Sequence, residues 1–273
     1  MINIKIQPLL LAALLLFPAL AAAQVAKPDT GSLLAAPRSP AGRPLPAGTD
    51  PGFIAALYGL RDSVYEYTAP PEVDLIAAAL TQAAWLQPFD DVDRNLVISR
   101  IEFLNAKSWN DSGEKKKAIP HFEAAIEAGW RSMAGGEHPA GIMAVIKALS
   151  ELCLIKDIGF LIANGPKISQ YADKILVMKP GHIGATLTLA ASKAYPPPLF
   201  GGNPQEAIEK IATLILNHAE GFEKDELFDV RVCIGTANAR LDRKTEARFW
   251  FMAALELYPH NAYPTAELGK LKP

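Results

Sequence analysis

One spacing of small and aromatic residues near the end of the chain limits the fold more than any other feature. The positions that carry it in the segment 228–261 are Gly235, Ala247, Phe251, Ala254 and Pro259. Residues three, four or seven apart share one face of a helix, so the segment predicts a helix, a short turn and a second, antiparallel helix. Small residues let the two backbones approach each other, and a proline ends the second helix.

The same register occurs earlier in the chain, which makes the predicted hairpin a repeat. The matching positions are Ala106, Ala118, Phe122, Ala125 and Trp130. We expect Gly113 at the turn of this copy, and Asp242 at the corresponding turn of the last copy.

Less regular pairs of apolar segments lie between these two copies. The expected repeats cover about 94–130, 139–180, 181–219 and 226–260. In the second of them we expect the first helix to continue to about Ile162 and the segment Asn164-Gly165-Pro166 to separate it from the return helix. Equivalent positions in successive repeats are further apart than in a standard tetratricopeptide repeat, where the spacing is about 34 residues.

This pattern resembles the tetratricopeptide repeat (TPR) family, and it covers most of the chain after residue 49. The resemblance implies an all-α fold, in which antiparallel helical hairpins stack into a right-handed superhelix, or α-solenoid. It also implies that the first helix of each hairpin lines a concave inner surface, which in this family usually binds a peptide or a protein.

The N-terminal segment predicts export. Residues 1–23 contain Lys5, an apolar run and small residues at Ala21 and Ala23, which is typical of a secretory signal peptide. An uncleaved anchor is the alternative. Residues 24–48 are rich in proline and alanine and read as a disordered linker, so the repeat domain is expected to span 49–273. We expect a periplasmic or otherwise exported protein that does not insert into a membrane after cleavage near Ala23.

The charge balance argues against nucleic acid as a partner. Lys and Arg number 27 and Asp and Glu 29, which gives a formal net charge of −2. The two cysteines, Cys153 and Cys233, fall in apolar helical segments, and we favour two buried thiols over a disulfide.

A possible calcium loop lies at the start of the first repeat. The residues at ligand positions of an EF-hand pattern are Asp91, Asp93, Asn95, Ser99 and Glu102. The sixth position should be glycine but is Leu96. We therefore favour a helix that Asp93 caps and that buries Val97, Ile101 and Leu104, and we expect no metal site.

Catalytic motifs are not evident in the sequence. The five histidines lie in separate segments, and the glycine pairs lack the strand that precedes a nucleotide-binding loop. We expect no enzymatic activity and no cofactor.

Candidate binding residues follow from the inner-face positions that the TPR resemblance implies. They are Arg100, Phe103, Lys107, Asn110, Lys147, Ser150, Thr186, Lys193, Thr236 and Arg240. Several are cationic, so an anionic peptide end or a small carboxylate is the expected partner. The leading hypothesis is a non-catalytic interaction scaffold that binds a peptide or protein. The alternative is a ligand-binding accessory protein of a solute transporter, similar to the T components of tripartite (TRAP) transporters, although the cysteine that anchors those proteins is absent here.

Overall fold

The structure is a computed structural model and describes residues 49–217 and 222–271. All regular secondary structure within these ranges is helical, so the predicted all-α class is confirmed. The helices are α1 (Pro51–Tyr65), α2 (Pro70–Leu80), α3 (Ala83–Leu86), α4 (Asp91–Asp111), α5 (Lys115–Ser132), α6 (Pro139–Ile155), α7 (Ile158–Met178), α8 (Ile183–Ala194), α9 (Pro204–Asn217), α10 (Lys224–Arg240), α11 (Lys244–Leu257) and α12 (Ala262–Lys270), with a short 3₁₀ turn at Pro198–Phe200.

Consecutive helices pack as hairpins because short turns join them and small residues lie where they touch. The pairs are α4 with α5, α6 with α7, α8 with α9, and α10 with α11. Ala118 and Ala125 are fully buried, as are Ala247 and Ala254. A Cβ atom on Gly235 would lie 2.8 Å from the Phe251 ring, so only glycine allows this approach. The predicted register of both hairpins is confirmed.

The two predicted turn residues adopt the left-handed backbone conformation. Gly113 has φ +87° between α4 and α5, and Asp242 has φ +56° between α10 and α11. Asparagine and aspartate tolerate this region better than other side chains. Asp242 therefore fills the role that glycine has in the first copy.

The predicted boundary inside the second repeat is wrong. The first helix ends at Ile155, and α7 runs without interruption through Asn164, Gly165 and Pro166. Asp157 begins α7 because its side chain accepts a hydrogen bond from the Phe160 N–H. This cap sets the boundary, and the helix accommodates Pro166 in its interior.

The proposed cap of α4 also needs correction. Asp90, not Asp93, is the N-cap, and its carboxylate accepts the Asp93 N–H at 2.8 Å. Residues from Asp91 onward are already helical, so they do not form a calcium-binding loop. The expected burial of Val97, Ile101 and Leu104 is confirmed.

The N-terminal hairpin contacts the C-terminal one. One apolar cluster joins Phe53 and Leu60 of α1 to Phe228 of α10 and Ala254 of α11. Tyr65 stacks on Tyr258 with ring centroids 4.8 Å apart.

Polar contacts reinforce this junction between segments nearly 200 residues apart. The Tyr258 hydroxyl donates to Asp62 at 3.1 Å, and the Asn261 side chain donates to the Tyr65 carbonyl at 2.9 Å. His260 contacts the Glu66 carboxylate at 3.0 Å. The two ends of the helical array are therefore held together.

Cys153 and Cys233 are buried free thiols, as expected. Burial raises the pKa of Cys233 to about 12. The predicted signal peptide and linker lie outside the described residues, as does His218. In the part of the chain that the structure describes, no helix has the length and hydropathy needed to cross a membrane.

Candidate functional site

Four helices, α4, α6, α8 and α10, form a closed series of neighbours. Helix α4 packs against α6, and α8 packs against α10. Gly184 of α8 lies against Met143 of α6, where a Cβ atom would come within 2.8 Å of the sulfur. Arg100 of α4 reaches Glu223, the residue that caps α10. The polar side chains of these helices meet between them.

We call the ionisable groups gathered here the interior cluster. Its members are Arg61, Arg100, Lys107, Asp111, Lys147, Glu151, Glu223, Asp225, Glu226 and Asp229. They come from α1, α4, α6 and α10, including the cap of α10. Three of the predicted binding residues, Arg100, Lys107 and Lys147, belong to it.

Two arginines and two carboxylates form the part of the cluster nearest the N-terminal hairpin. Arg100 Nη2 lies 2.9 Å from Glu223 Oε2 and 3.6 Å from Asp225 Oδ2. Arg61 Nη1 lies 3.5 Å from Asp225 Oδ1, and its guanidinium lies over the Tyr58 ring. Burial tends to raise the pKa of Asp225, but Arg100, Lys147 and Arg61 outweigh it and lower that pKa. Arg61 Nε also lies 2.8 Å from Asp62 Oδ1, so the two arginines are shared among three carboxylates.

Lys107 anchors a second group of contacts. Its Nζ lies 2.8 Å from Asp111 Oδ2 and 5.7 Å from the centre of the Tyr65 ring. Burial tends to lower the pKa of Lys107, but Asp111 and Glu151 raise it well above its ordinary value. The Lys107 side chain still keeps 21% of its surface exposed.

Glu151 faces this group from α6. It accepts a hydrogen bond from the Asn110 side-chain amide at 3.4 Å. Burial raises the pKa of Glu151, Asp111 raises it further, and Lys107 only partly offsets them. The Glu151 carboxylate therefore has a neutral donor and a more distant cation.

Lys147 lies on α6 and Asp229 on α10. Burial raises the pKa of Asp229 to about 7, with Asp225 and Glu226 adding to the increase and Lys147 and Lys107 opposing it. Among residues 49–217 and 222–271, neither Lys147 nor Asp229 forms an ion pair within 4.0 Å. These are the two charged groups of the cluster with the fewest direct partners.

Tyrosine side chains lie next to the cluster at the α8 end. The Thr236 hydroxyl lies 3.2 Å from the Tyr263 hydroxyl. Burial raises the pKa of Tyr195, and Cys233, Tyr263 and Asp229 act in the same direction. The hydroxyls are therefore neutral and can both donate and accept.

The remaining predicted residues have other surroundings. Phe103 packs on Phe122 of α5, and the Ser150 hydroxyl donates to the Ile146 carbonyl of its own helix. Lys193 pairs with Glu206 of α9 at 3.4 Å. Thr186 is half-buried and Arg240 is exposed.

Sequence reasoning missed the acidic half of the cluster. Asp225 and Asp229 precede Thr236 on α10 by eleven and seven residues, so they share its helix face. Extending the register of Thr236 and Arg240 toward the N-terminus would have found them. Arg61 could not be found this way, because it comes from α1, which lies outside the predicted repeats and reaches the cluster by packing on α4 and on the C-terminal hairpin.

The chemistry available in the cluster is recognition of charge and hydrogen-bonding groups. Carboxylates, one lysine without a direct ion pair and tyrosine hydroxyls lie around a common region. In the described part of the chain, no group of three histidine, cysteine or acidic side chains is arranged to hold a metal ion. No family model matches the chain, and no curated protein matches it either.

Proposed function

We propose that this chain is an exported, non-catalytic binding protein of the TPR-like α-solenoid type. The binding site is the interior cluster, and the ligand is a small polar molecule. The observation that carries the proposal is the convergence of charged side chains from α1, α4, α6 and α10 on one region.

Burying this many charged groups lowers the stability of the fold, which indicates that they serve a purpose other than stability. Carboxylates such as Asp229 have raised pKa values because they are desolvated without an adequate cation. Perturbed groups that gather between helices are a common property of binding sites.

The contact between the two ends of the array favours a ligand over a long peptide. An extended peptide needs an open groove along the inner helices. Here α1 contacts α10 and α11, and Arg100 and Lys107 are already paired with carboxylates of this chain. The peptide-binding scaffold is therefore the less well supported of the two hypotheses.

A thermal-shift screen of small polar metabolites tests the proposal. Compounds that bind the interior should shift the melting temperatures of the wild type and of Lys147→Met by different amounts. Arg240→Met is the matched control, since Arg240 is exposed at the C-terminal end of α10, whereas the cluster residues Asp225 and Asp229 lie near its N-terminal end. Hits that stabilise all three proteins equally would place the site elsewhere.

A further inference from the structure

The turns inside the four hairpins lie along one edge of the helical array. Short connections make consecutive helices antiparallel, so each hairpin starts and finishes at one side of the array and turns at the other. Asn110 contacts Glu151 at 3.4 Å, close to the C-terminal ends of α4 and α6. Gly184 lies against Met143, close to the N-terminal ends of α8 and α6. We call the segments 112–117, 154–162, 195–203 and 240–246 together the turn edge.

The two middle turns of this edge expose large apolar side chains. At the α6–α7 turn, Leu154, Ile158 and Ile162 are 68–74% exposed. At the α8–α9 turn, Leu199 is 88% exposed and Phe200 is 74% exposed. These turns belong to neighbouring hairpins, since α7 packs on α8. Exposed apolar side chains that are grouped, rather than scattered singly, are typical of an interaction surface.

The backbone of the α8–α9 turn keeps its apolar side chains outward. Three consecutive prolines, 196–198, restrict its conformation. The N–H groups of Phe200 and Gly202 both donate to the Pro197 carbonyl, at 2.9 and 3.1 Å. Because these hydrogen bonds fix the turn, Leu199 and Phe200 are held away from the core.

The two middle turns carry little net charge. Segments 158–166 and 194–205 contain no Asp, Glu, Lys, Arg or His. The Lys156 side chain pairs with Glu123 at 2.6 Å, and that of Lys193 pairs with Glu206 at 3.4 Å. The middle of the turn edge is therefore mainly apolar.

The two outer turns carry exposed cations. They are Lys115, Lys116, Arg240, Arg243 and Lys244. Within residues 49–217 and 222–271, none of these five forms an ion pair within 4.0 Å, and the same holds for three carboxylates of the turn edge, Asp157, Asp242 and Glu246. The edge therefore has an excess of positive charge, although the whole chain has a formal net charge of −2.

We propose that the turn edge docks on the surface of a lipid bilayer that carries anionic headgroups. The apolar side chains of the middle turns enter the interfacial layer, and the cations of the outer turns attract the negative surface. A second copy of the chain suits this edge less well, because a two-fold contact would bring two positively charged edges together. This surface goes beyond the proposed function, since none of its residues belongs to the interior cluster.

Flotation with lipid vesicles tests this docking. The protein is the chain 24–273, which contains every described residue and leaves out the apolar run of the predicted signal peptide. We expect it to float with vesicles of equal parts phosphatidylcholine and phosphatidylglycerol at low salt, and much less with phosphatidylcholine alone. The double variant Leu199→Ser/Phe200→Ser should weaken binding at least about tenfold, because it removes the apolar surface of one turn. Lys115→Gln/Lys116→Gln should also weaken binding, mainly at low salt.

Matched controls come from the opposite edge of the array. Val177 is an exposed apolar residue at the C-terminal end of α7, and Lys179 is an exposed cation beside it. Val177→Ser and Lys179→Gln should bind vesicles as the wild type does, and circular dichroism should show that all variants are folded.

Three results would overturn the proposal. The first is no binding to the anionic vesicles, and the second is binding that neither turn-edge variant weakens. The third comes from sedimentation velocity: a dimer that Leu199→Ser/Phe200→Ser dissociates would identify the turn edge as a contact between copies of the chain. Equal binding to the two kinds of vesicle would overturn the preference for anionic lipid.

Discussion

Replacing Asp229 by asparagine should stabilise the protein at alkaline pH. The substitution keeps the shape of the side chain and removes its ability to ionise. Burial, with help from Asp225 and Glu226, raises the pKa of Asp229 from its ordinary 3.8 to about 7. A carboxyl with a raised pKa contributes stability below its unfolded-state pKa and loses that contribution as the pH rises through its folded-state pKa.

The expected size follows from this difference. A pKa difference of about three corresponds to roughly 4 kcal/mol of unfolding free energy once the group is fully ionised. About 2–3 kcal/mol of this develops between about pH 5 and pH 8.5. For a chain of this length, that is a rise of roughly 5–10 °C in melting temperature relative to the wild type.

Thermal unfolding followed by circular dichroism at the two pH values measures the effect. The advantage of Asp229→Asn over the wild type should be small at the lower pH and large at the higher pH. Asp225→Asn is the control with the opposite sign, because the pKa of Asp225 is lowered and its carboxylate pairs with Arg61 and Arg100. If the stability difference between Asp229→Asn and the wild type does not change with pH, Asp229 is not desolvated. The claim that the cluster is buried between the helices would then be wrong.

Other substitutions test the packing and the remaining charged contacts. Ala254→Leu should destabilise the protein by about 1–3 kcal/mol in urea unfolding, because Ala254 is fully buried at the junction of the two ends; an unchanged midpoint would contradict this. Gly235→Ala should also lower the midpoint, since the new Cβ would lie 2.8 Å from the Phe251 ring, whereas Gly135→Ala should not clash, since nothing lies within 4 Å there. His121 contacts Glu102 at 2.7 Å, and this hydrogen bond is the main cause that raises its pKa. His121→Gln should therefore cost more stability at about pH 5.5 than at about pH 8.5, and equal losses at both would argue against the pair. Millimolar calcium should leave the melting temperature unchanged, because Asp91 begins a continuous helix; a clear rise would reopen the calcium-loop reading.

Local sequence patterns determined the helices and the contacts within each hairpin. The small residues Ala118 and Gly235 and the turn residues Gly113 and Asp242 could be assigned from spacing alone, since each acts on residues close to it in the chain. Errors arose where two signals competed. Pro166 suggested a break, but the Asp157 cap begins α7 earlier and the helix continues past Pro166 without its N–H donor.

Tertiary structure alone decided which charges meet. The sequence placed Arg100, Lys107 and Lys147 on inner helix faces and suggested an anionic partner. It could not show that Glu223 and Asp225 would neutralise Arg100, or that α1 would bring Arg61 to the same carboxylates. The physical reason is that helix periodicity fixes the direction of a side chain within its own element. The pairing of charges more than a hundred residues apart depends on how the elements pack, and here it depends on how α1 and α4 lie beside the start of α10.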